Sequence, residues 1–364
     1  MDKIGEMYIG VMSGTSLDGV DVVLCWIDNS GCRVLSAEQY PFDAELKDDI
    51  LKLIDAKISL AEVGVIDHKL GLLFGGAINT FIEEKKIDRS NISAIGLHGQ
   101  TLWHEPDTQY PFSMQLGDAN IVTSMTDITV VADFRRKDIA NGGQGAPFAP
   151  AFHKYIFSGL EKNVAVLNIG GMANITILGE TIRGCDTGCG NVLMDYWISK
   201  HKALPFDKNG DWARSGEVNQ VLLEEMLRDE YFLKEAPKST GRELFNPQWL
   251  QKHLCKFPVL KSEDVQATLL ELTLVSIANE IKNTPTQVLI VCGGGAKNSY
   301  LMQKLEEKLQ HITIKKSNDF SINSDFLEAM AFAWLAYKRI HNEVVELCSV
   351  TGAKKDSILG AIYA

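Results

Sequence analysis

The sequence predicts an α/β fold with two domains, and three observations support this prediction. The 364 residues suit two domains of ordinary size. Short apolar strands alternate with helical segments along the chain, which is typical of layered α/β proteins. A strand–turn–strand pattern over Met7–Ile27 recurs over Val164–Leu178, early in the second half. This repetition indicates a duplicated architecture that includes some antiparallel pairing.

The first half opens with strands and then alternates helices with strands. Apolar residues recur with helical period over Leu60–Lys85, which predicts a helix despite its internal glycines. Apolar runs bounded by polar turns predict the strands Met7–Met12, Val20–Ile27, Arg33–Tyr40, Ala94–Leu97 and Ile128–Ala132.

A glycine- and proline-rich stretch, Asn141–Pro147, cannot form a regular element. We therefore predict a domain boundary near it. The first predicted domain comprises residues 1–134 plus about 342–364, and the second comprises residues 135–341.

The second half repeats the alternation, with a Gly-rich turn predicted over Cys185–Asn191 and a loop over Phe206–Glu217. The predicted strands are Val164–Ile169, Asn174–Leu178, Gln287–Val291 and Ile312–Lys315. The predicted helices are Ala149–Ser158, Val192–Ser199, Val218–Arg228, Ser262–Lys282, Ser299–Leu309 and Phe326–Ile340.

Charge and cysteine content narrow the class of protein. The net charge of −11 argues against a general nucleic-acid binder, which would show a basic face. The seven cysteines form no CxxC pair, so we expect free thiols in a reducing compartment, the cytoplasm. The apolar part of the N-terminus is too short for a signal peptide, and no stretch approaches about 18 apolar residues, so no membrane span is expected.

Three glycine-containing turns follow predicted strands: Ser13–Gly19, Gly170–Met172 and Gly293–Gly295. Glycine lets the backbone approach a ligand closely, and successive N–H groups can converge on anionic oxygens. Each turn alone could be a simple tight turn. Together, with Asp18 and Asp186 in adjacent polar turns, they favour a nucleotide site. Neither GxxxxGK[ST] nor a GxGxxG at a strand-to-helix junction occurs, so the site is not a P-loop or a Rossmann fingerprint.

These turns belong to a longer series of motifs that resembles the anhydro-N-acetylmuramic acid kinases. The blocks run from about residue 9 to residue 335 in the order found in that family. They are Gly10–Asp21, Leu97–Thr101, Ala132–Asp138, Gly142–Pro147, Asn168–Asn174, Asp186–Asn191 and Cys292–Asn298. That family usually has proline where this chain has Cys189, which we interpret as an inert thiol because no base or second ligand is evident.

The resemblance implies two ribonuclease-H-like domains of the actin/sugar kinase/Hsp70 type, with an ATP cleft between them. It also implies that ATP, water and 1,6-anhydro-N-acetylmuramic acid give N-acetylmuramic acid 6-phosphate and ADP, in recycling of cell-wall sugar. The implied partners are the amino sugar, ATP and Mg²⁺, without nucleic acid or membrane, and a homodimer stays open. Two alternatives also stay open: a sugar kinase acting on an ordinary hydroxyl, and a non-enzymatic ATP-binding switch.

Under this resemblance, ATP is held by backbone and side-chain groups of the glycine turns, with hydroxyl donors at Thr15 and Ser16. Asp18 would hold Mg²⁺ directly or through water, because Mg²⁺ prefers few carboxylates plus waters and phosphates. The implied ATP-binding residues are Gly14, Thr15, Ser16, Leu17, Asp18, Gly19, Val20, Asp21, Gly170, Gly171, Gly293, Gly294, Gly295 and Asn298.

Asp186 and Glu328 are the candidate catalytic residues. In its predicted turn before a helix, Asp186 could cap that helix or act as a general base, and the resemblance favours the base. Glu328 lies in the apolar helix Phe326–Ile340, where it either faces solvent or is held for a function. The resemblance implies that Glu328 positions the attacking water with Asp186.

The candidate substrate-binding residues are His98, Gln100, Asp133 and Arg135. Arg135 could pair with the lactyl carboxylate of the sugar, and His98 and Gln100 could bond ring hydroxyls. From the residues alone, Arg135 could also belong to a solvated charged run, and His98 could be a structural histidine.

Overall fold

The structure is a computed structural model that describes most of the chain. The described residues are 5–14, 17, 19–54, 59–157, 159–160, 163–236, 238–282, 284–320 and 322–364. Within these ranges, no helix combines the length and apolar character needed to cross a membrane.

The chain folds into two compact units, Met1–Gly159 with Phe326–Ala364, and Leu160–Asp325. These units differ from the predicted domains at both boundaries, because residues 135–159 and 326–341 belong to the first unit. The physical reason for the second difference is the packing of the helix Leu327–Ile340 on the sheet of the first unit, described below.

Three strands open the first unit, and helices then alternate with strands. The helix α2 starts where Ser59 and Glu62 form a capping box, in which Glu62 N–H donates to Ser59 Oγ and Ser59 N–H donates to the Glu62 carboxylate. The elements are β1 Glu6–Ser13, β2 Val20–Asp28, β3 Gly31–Tyr40, α1 Ala44–Ile54, α2 Leu60–Glu84, β4 Ile92–Glu105, β5 Phe112–Leu116, α3 Ala119–Thr126, β6 Val130–Ala132, α4 Arg135–Ala140 and α5 Ala149–Phe157.

The second unit begins with an antiparallel hairpin and continues mainly with helices. Its elements are β7 Val164–Ile169, β8 Met172–Leu178, β9 Arg183–Cys189, α6 Val192–Lys202, α7 Asp211–Ser215, α8 Gln220–Leu227, α9 Glu230–Leu233, α10 Pro247–Leu254, α11 Ser262–Ile281, β10 Val288–Cys292, α12 Ser299–Lys308 and β11 Thr313–Lys316. The chain then returns to the first unit through α13 Leu327–Ile340, α14 Cys348–Thr351 and β12 Ala361–Tyr363. Short 3-10 helices lie at Arg89–Asn91, Lys208–Gly210, Gly294–Lys297, Ser317–Phe320 and Ser324–Phe326.

Five strands of the first sheet have the same order and directions as the five strands of the second sheet, and the first sheet also contains β5 and β12. In the first sheet the order is β12-β6-β4-β1-β2-β3, with β5 paired to β4. In the second it is β11-β10-β7-β8-β9. In each sheet, three consecutive strands form an antiparallel meander, β1-β2-β3 or β7-β8-β9. Two further strands run parallel to the first strand of the meander and lie on its other side. The predicted α/β fold with two ribonuclease-H-like domains is therefore confirmed.

Alternation along β1 gives the first sheet two covered faces. Ile9 and Val11 belong to a core that β1 shares with α1, α2 and α3. Gly10 lies between them and faces α13. The sheet is therefore enclosed by helices on both faces, as apolar strands require.

Two glycines let α13 lie directly on this sheet. Gly10 of β1 and Gly96 of β4 are paired in register. A Cβ atom at Gly10 would lie 1.9 Å from the backbone oxygen of Ala329, and one at Gly96 would lie 2.0 Å from that of Phe332. Since no side chain fits at these two positions, the glycines determine how closely α13 approaches the sheet. They thereby also determine the position of Glu328 in the first turn of α13.

The main corrections to the predicted elements concern segments with little periodic signal. The predicted turn Cys185–Asn191 is largely strand β9, whose glycines hide its strand character. The predicted loop Phe206–Glu217 contains α7. The sequence also did not predict several short elements, namely α1, α3, α4, α9, α10, α14, β5 and β12.

Candidate active site

The predicted substrate-binding residues of the first unit share one edge of its sheet. Ser13, at the end of β1, pairs with Gln100 of the parallel strand β4, and Asp133 directly follows the parallel strand β6. Ligands of α/β proteins commonly bind beyond the carboxyl ends of parallel strands. The edge therefore has the character of a binding site.

Gln100 is buried and braces the turn between β1 and β2. Ser13 Oγ donates a 2.6 Å hydrogen bond to Gln100 Oε1, and Gln100 Nε2 donates to the Gly14 carbonyl at 3.4 Å. Gln100 is only 1% exposed. Its amide is thus engaged in positioning the glycine turn.

That turn is described only in part. The predicted phosphate and Mg²⁺ ligands Thr15, Ser16 and Asp18 lie outside the described residues. Leu17 has a φ of 56°, its N–H donates to Gly14 O at 3.2 Å, and its side chain is buried in the core. Leu17 therefore anchors the turn to the unit beneath it.

At the start of β2, the predicted ATP-binding residues are constrained by neighbours. Val20 is buried, and Asp21 accepts a 2.9 Å hydrogen bond from Gln39 Nε2. A Cβ atom at Gly19 would lie 2.6 Å from the Gln39 side chain. Close packing against β3 thus accounts for the glycine here.

Arg135 and His98, both predicted to bind substrate, are hydrogen-bonded to each other. The guanidinium donates to His98 Nε2 from Nε at 3.2 Å and lies 2.9 Å from it through Nη2. Nη1 donates to the Gly145 carbonyl at 2.7 Å, and the guanidinium carbon lies 5.0 Å from the Phe148 ring centroid. Two of the five guanidinium N–H groups remain for a ligand.

Burial and the neighbouring guanidinium both hold the pKa of His98 well below its ordinary value. Neutral His98 can therefore accept from Arg135 at Nε2. Burial also lowers the pKa of Arg135 to about 10, and the Glu328 carboxylate opposes that shift. At neutral pH, Arg135 is therefore positively charged and hydrogen-bonded to a neutral His98.

The support for Arg135 extends to a buried aspartate. Asp138 accepts hydrogen bonds from Gly145 N–H at 2.7 Å and from Thr351 Oγ1 at 2.9 Å. Gly145 in turn accepts from Arg135. The Gly-rich segment, predicted to be irregular, thus holds the Arg135 guanidinium through Gly145 and is itself held by Asp138.

Asp133 adopts a left-handed backbone conformation with a φ of 56°. Its carboxylate lies 3.5 Å from Arg136 Nε, and burial raises its pKa while Arg136 lowers it. Asp133 and His98 both line a cavity of about 180 Å³. Asp133 therefore lies near His98, although its ionic partner is Arg136.

Glu328 reaches solvent from the first turn of α13. Desolvation by surrounding protein raises the pKa of its carboxyl, Arg135 lowers it and Asp21 raises it. Because Glu328 is exposed, its carboxylate keeps much of its hydration. Glu328 is thus an accessible carboxylate in the electrostatic field of Arg135.

In the second unit, the predicted glycine segments meet at one end of the sheet. Asn191 N–H donates to Gly170 O at 2.8 Å, and Gly190 N–H donates to Gly171 O at 2.9 Å. Gly293 packs against β7, where a Cβ atom would lie 2.7 Å from a backbone oxygen. The β7–β8 turn, the end of β9 and the turn after β10 thus form a single edge.

The glycines of this edge fall into two groups by the room around them. At three positions a Cβ atom would lie within 2.4 Å of a protein atom, so packing requires Gly190, Gly293 and Gly295. At three others the nearest atom is 3.5 Å or farther, which leaves the backbone open at Gly170, Gly171 and Gly294. A ligand can therefore approach the main chain closely at the second group.

Asn298, another predicted ATP-binding residue, caps a helix. Its Oδ1 accepts a 3.0 Å hydrogen bond from Leu301 N–H at the start of α12. The side chain is therefore committed to the helix N-terminus.

Asp186 lies on strand β9, opposite Asn174 of β8, rather than in a turn before a helix. The N-cap of α6 is Asn191, five residues farther along. The helix-cap alternative for Asp186 is therefore wrong.

Three hydrogen bonds hold Asp186 in place. Its Oδ2 accepts from Thr240 N–H at 2.9 Å, its N–H donates to Lys238 O at 3.0 Å, and its carbonyl accepts from Tyr231 OH at 2.7 Å. Burial raises the pKa of the Asp186 carboxyl, the Thr240 N–H lowers it and Glu243 raises it. A half-buried carboxylate of raised pKa suits a general base.

The sequence analysis did not identify a second partly buried aspartate of raised pKa in this unit, Asp195. Asp195 is half-buried on α6, and burial together with Asp207 raises its pKa to about 6. Asp207 accepts from Trp212 N–H and Ala213 N–H at 3.0 and 2.9 Å. Asp195 lies one helical turn after Asn191, the N-cap of α6. This four-residue spacing from a predicted motif was the sequence signal that could have identified Asp195.

The seven cysteines all lie among the described residues, and none of them is in a disulfide. Cys189 is 1% exposed, and burial raises the pKa of its thiol to about 12. Its carbonyl accepts a hydrogen bond from Thr273 Oγ1 at 3.0 Å. A buried, protonated thiol supports the interpretation of Cys189 as inert.

Residues 6–364 match the sequence profile of the family "Anhydro-N-acetylmuramic acid kinase". The chain belongs to the anhydro-N-acetylmuramic acid kinase family. An anhydro-N-acetylmuramic acid kinase of Sulfurimonas denitrificans is 59% identical over 99% of this chain and 100% of the relative. One from Sulfurovum sp. is 57% identical over 98% of this chain and 99% of the relative.

Among solved structures, component A of (R)-2-hydroxyglutaryl-CoA dehydratase from Acidaminococcus fermentans is similar with a TM-score of 0.48. It is 9% identical over 92% of this chain and 99% of that chain, which is too distant to bear on function.

Membership of the anhydro-N-acetylmuramic acid kinase family confirms the enzyme class predicted from the sequence. The enzyme uses ATP and acts on a sugar. Neither alternative, a kinase for an ordinary hydroxyl or a non-enzymatic switch, gains support from these relatives.

Proposed function

We propose that this kinase opens the 1,6-anhydro bridge of anhydro-N-acetylmuramic acid with water and phosphorylates O6 from ATP, with Asp186 as general base. The observation that carries the proposal is the half-buried Asp186 carboxylate, which accepts a hydrogen bond from Thr240 N–H. Asp186 lies on β9, the strand that ends at the glycine edge. The products are N-acetylmuramic acid 6-phosphate and ADP.

The chemistry couples two bond changes. Asp186 takes a proton from water as the water oxygen bonds to C1 and the C1–O6 bond breaks, as in inverting glycoside hydrolysis. O6 takes up the γ-phosphoryl group as the bond to the β-phosphate breaks. Because phosphorus captures the leaving oxygen, no separate acid is needed to protonate it.

Glu328 is proposed as the second carboxylate, which orients the same water in the substrate complex. The support is its exposure at the start of α13 and its electrostatic coupling to Arg135.

We propose that Arg135 binds the lactyl carboxylate through its two remaining N–H groups, and that Asp133 contacts the sugar. His98 would act through Arg135, since its Nε2 is the acceptor for the guanidinium. Gln100 would act through the β1–β2 turn that it braces. These are positioning roles rather than the direct sugar contacts expected from the sequence.

For ATP, the open backbone at Gly170, Gly171 and Gly294 fits the approach of phosphate oxygens. In the described part of the chain, no three His, Cys, Asp or Glu side chains group into a metal site. Mg²⁺ would therefore take most of its ligands from phosphates and water, with Asp18 as a protein ligand. When bound, Mg²⁺ supplies charge neutralisation for phosphoryl transfer.

Composition supports the proposed location and partners. We propose a cytoplasmic enzyme, since seven free thiols suit a reducing compartment. The net charge of −11 makes a nucleic-acid partner unexpected, and a homodimer stays open.

An assay in ¹⁸O-labelled water, with the anhydro-sugar as sole variable, tests the function. We expect sugar-dependent ADP release, with label at C1 and one phosphate per ring opened. Phosphorylation without label at C1 would favour a kinase for an ordinary hydroxyl, and ADP release independent of sugar would favour the switch.

A further inference from the structure

We propose that the buried ion pair between Lys238 and Glu280 positions Asp186 for catalysis, an inference that rests on the function proposed above. Lys238 Nζ lies 2.6 Å from Glu280 Oε1, and the two side chains are only 4% and 18% exposed. Glu280 belongs to the last turn of α11, whereas Lys238 belongs to the segment between α9 and α10.

The segment that carries Lys238 also carries the groups that hold Asp186. The Lys238 carbonyl accepts from Asp186 N–H at 3.0 Å, and Thr240 N–H, two residues on, donates to Asp186 Oδ2 at 2.9 Å. The segment thus joins β9 through one backbone hydrogen bond and one hydrogen bond to the Asp186 carboxylate. Anchoring the Lys238 side chain therefore also fixes the N–H that contacts the carboxylate.

The ion pair is tied to β9 from a second direction. Cys185, the neighbour of Asp186 on the strand, donates through Sγ to Glu280 Oε2 at 3.7 Å. Tyr231, whose hydroxyl donates to Asp186 O, has its ring 5.2 Å from Lys238 Nζ. The helix α11 is thus connected to both the base and the segment that orients it.

A buried ion pair is expensive to desolvate and is weak evidence for stability by itself. Here its contacts converge on one carboxylate. Thr240 N–H favours the ionised form of Asp186, whereas burial and the carboxylate of Glu243 favour the protonated form. Other titratable groups near Asp186 include Tyr231 and Cys185, which interact electrostatically with its carboxylate, and the Lys238–Glu280 pair that contacts these two residues. Loss of the Thr240 contact therefore leaves a base that is more protonated at a given pH.

The test compares Lys238→Met and Glu280→Gln with the wild-type enzyme in the ADP-release assay across pH. We expect kcat to fall about tenfold or more, as for a misplaced catalytic group, while KM for ATP changes little. In Lys238→Met the acid limb of the pH profile should move to higher pH, because a displaced Thr240 N–H no longer favours the ionised carboxylate. Lys238→Arg, which keeps the charge, should recover part of the activity.

The matched control is Lys308→Met. Lys308 also pairs at 2.6 Å with a glutamate of α11, Glu271, with side chains 29% and 19% exposed. This variant should keep the wild-type acid limb. Because Lys238→Met leaves Glu280 unpaired, the double variant Lys238→Met with Glu280→Gln removes both charges if the single variant unfolds.

A readout independent of turnover is the amide proton of Thr240, followed by NMR against pH. In the wild type it should titrate with Asp186, and in Asp186→Asn it should not. In folded Lys238→Met the titration should weaken or disappear. An unchanged acid limb together with an unchanged Thr240 titration overturns the proposal. Absence of sugar-dependent ADP release in the wild type would count against the proposed function alone, since the Thr240 titration still tests the positioning.

Discussion

Asp186 combines burial with an N–H donor, from Thr240, on one carboxylate oxygen. Burial favours the protonated acid, and the donor favours the ionised base. The balance leaves a carboxyl whose pKa is raised but whose geometry is fixed. Such a group accepts a proton readily while it stays oriented toward a small reactant.

We expect Asp186→Asn to fold normally and to lower kcat by about 10²–10⁴-fold, the usual contribution of a general base. The amide keeps the size of the side chain but cannot accept the proton. In the wild type, activity should fall as the pH drops through the raised pKa of Asp186, since the base must be ionised. Steady-state ADP release measures both effects.

The matched control for that variant is Asp48→Asn, an exposed carboxylate on α1 of the first unit. It should keep near wild-type turnover. Turnover of Asp186→Asn close to that of this control would remove Asp186 from the proposed role.

Asp195 gives a prediction about stability. Its folded pKa of about 6 lies above the ordinary aspartate value of 3.8, so the folded state binds the proton more tightly than the unfolded chain. Asp195 therefore contributes most to the free energy of unfolding when it is protonated at low pH. That contribution is lost as the pH rises toward and through 6. Asp195→Asn should therefore raise the free energy of unfolding at pH 8 more than at pH 5, by roughly 1 kcal/mol after allowance for its partial exposure.

Urea unfolding of both proteins at the two pH values measures this difference. The wild type serves as the reference at each pH, which cancels the titration of all other groups. An equal effect of the substitution at pH 5 and pH 8 would show that Asp195 does not titrate between them.

At the scale of elements, the contact between α13 and the first sheet connects packing to the proposed position of Glu328. Glu328 owes its position to a helix that approaches β1 and β4 closely over Gly10 and Gly96. Closely packed interiors do not absorb an added methyl group without movement. A change beneath this helix therefore affects both stability and the start of α13.

We expect Gly10→Ala to destabilise the protein by about 2 kcal/mol or more, because its Cβ would lie 1.9 Å from the Ala329 backbone oxygen. The folded fraction should also lose activity as α13 shifts. Gly76→Ala, within α2, is the control, since no atom lies within 4 Å of the added Cβ. Helix propensity should make that variant more stable by about 0.5–1 kcal/mol. Urea unfolding compares them, and equal stability of the two variants would contradict the packing argument.

At the scale of the whole molecule, two sheets of the same order carry different parts of the proposed chemistry. The first unit carries Arg135, His98 and Glu328, and the second carries Asp186 and the glycine edge. The proposed reaction therefore draws on residues of both units.

We expect the radius of gyration to decrease when sugar and a non-hydrolysable ATP analogue bind together, because closure excludes bulk water from ATP. Small-angle X-ray scattering with each ligand alone and with both measures this change. Equal radii in all four samples would argue against closure.

The sequence alone determined the features that depend on neighbouring residues. Alternating apolar strands and helices predicted α/β layers, and the repeated hairpin predicted the duplication that the matching strand orders confirm. The motif series predicted the family. Strand β9 escaped prediction because its glycines resemble a turn until β8 pairs with it.

Only the tertiary structure decided the partners of the predicted site residues. Gln100 braces Ser13, 87 residues away, and Arg135 bonds His98, 37 residues away. Asp186 takes its donor from Thr240, 54 residues farther along. The physical reason is that strand register and packing bring such groups together, whereas the sequence shows only their types and spacing.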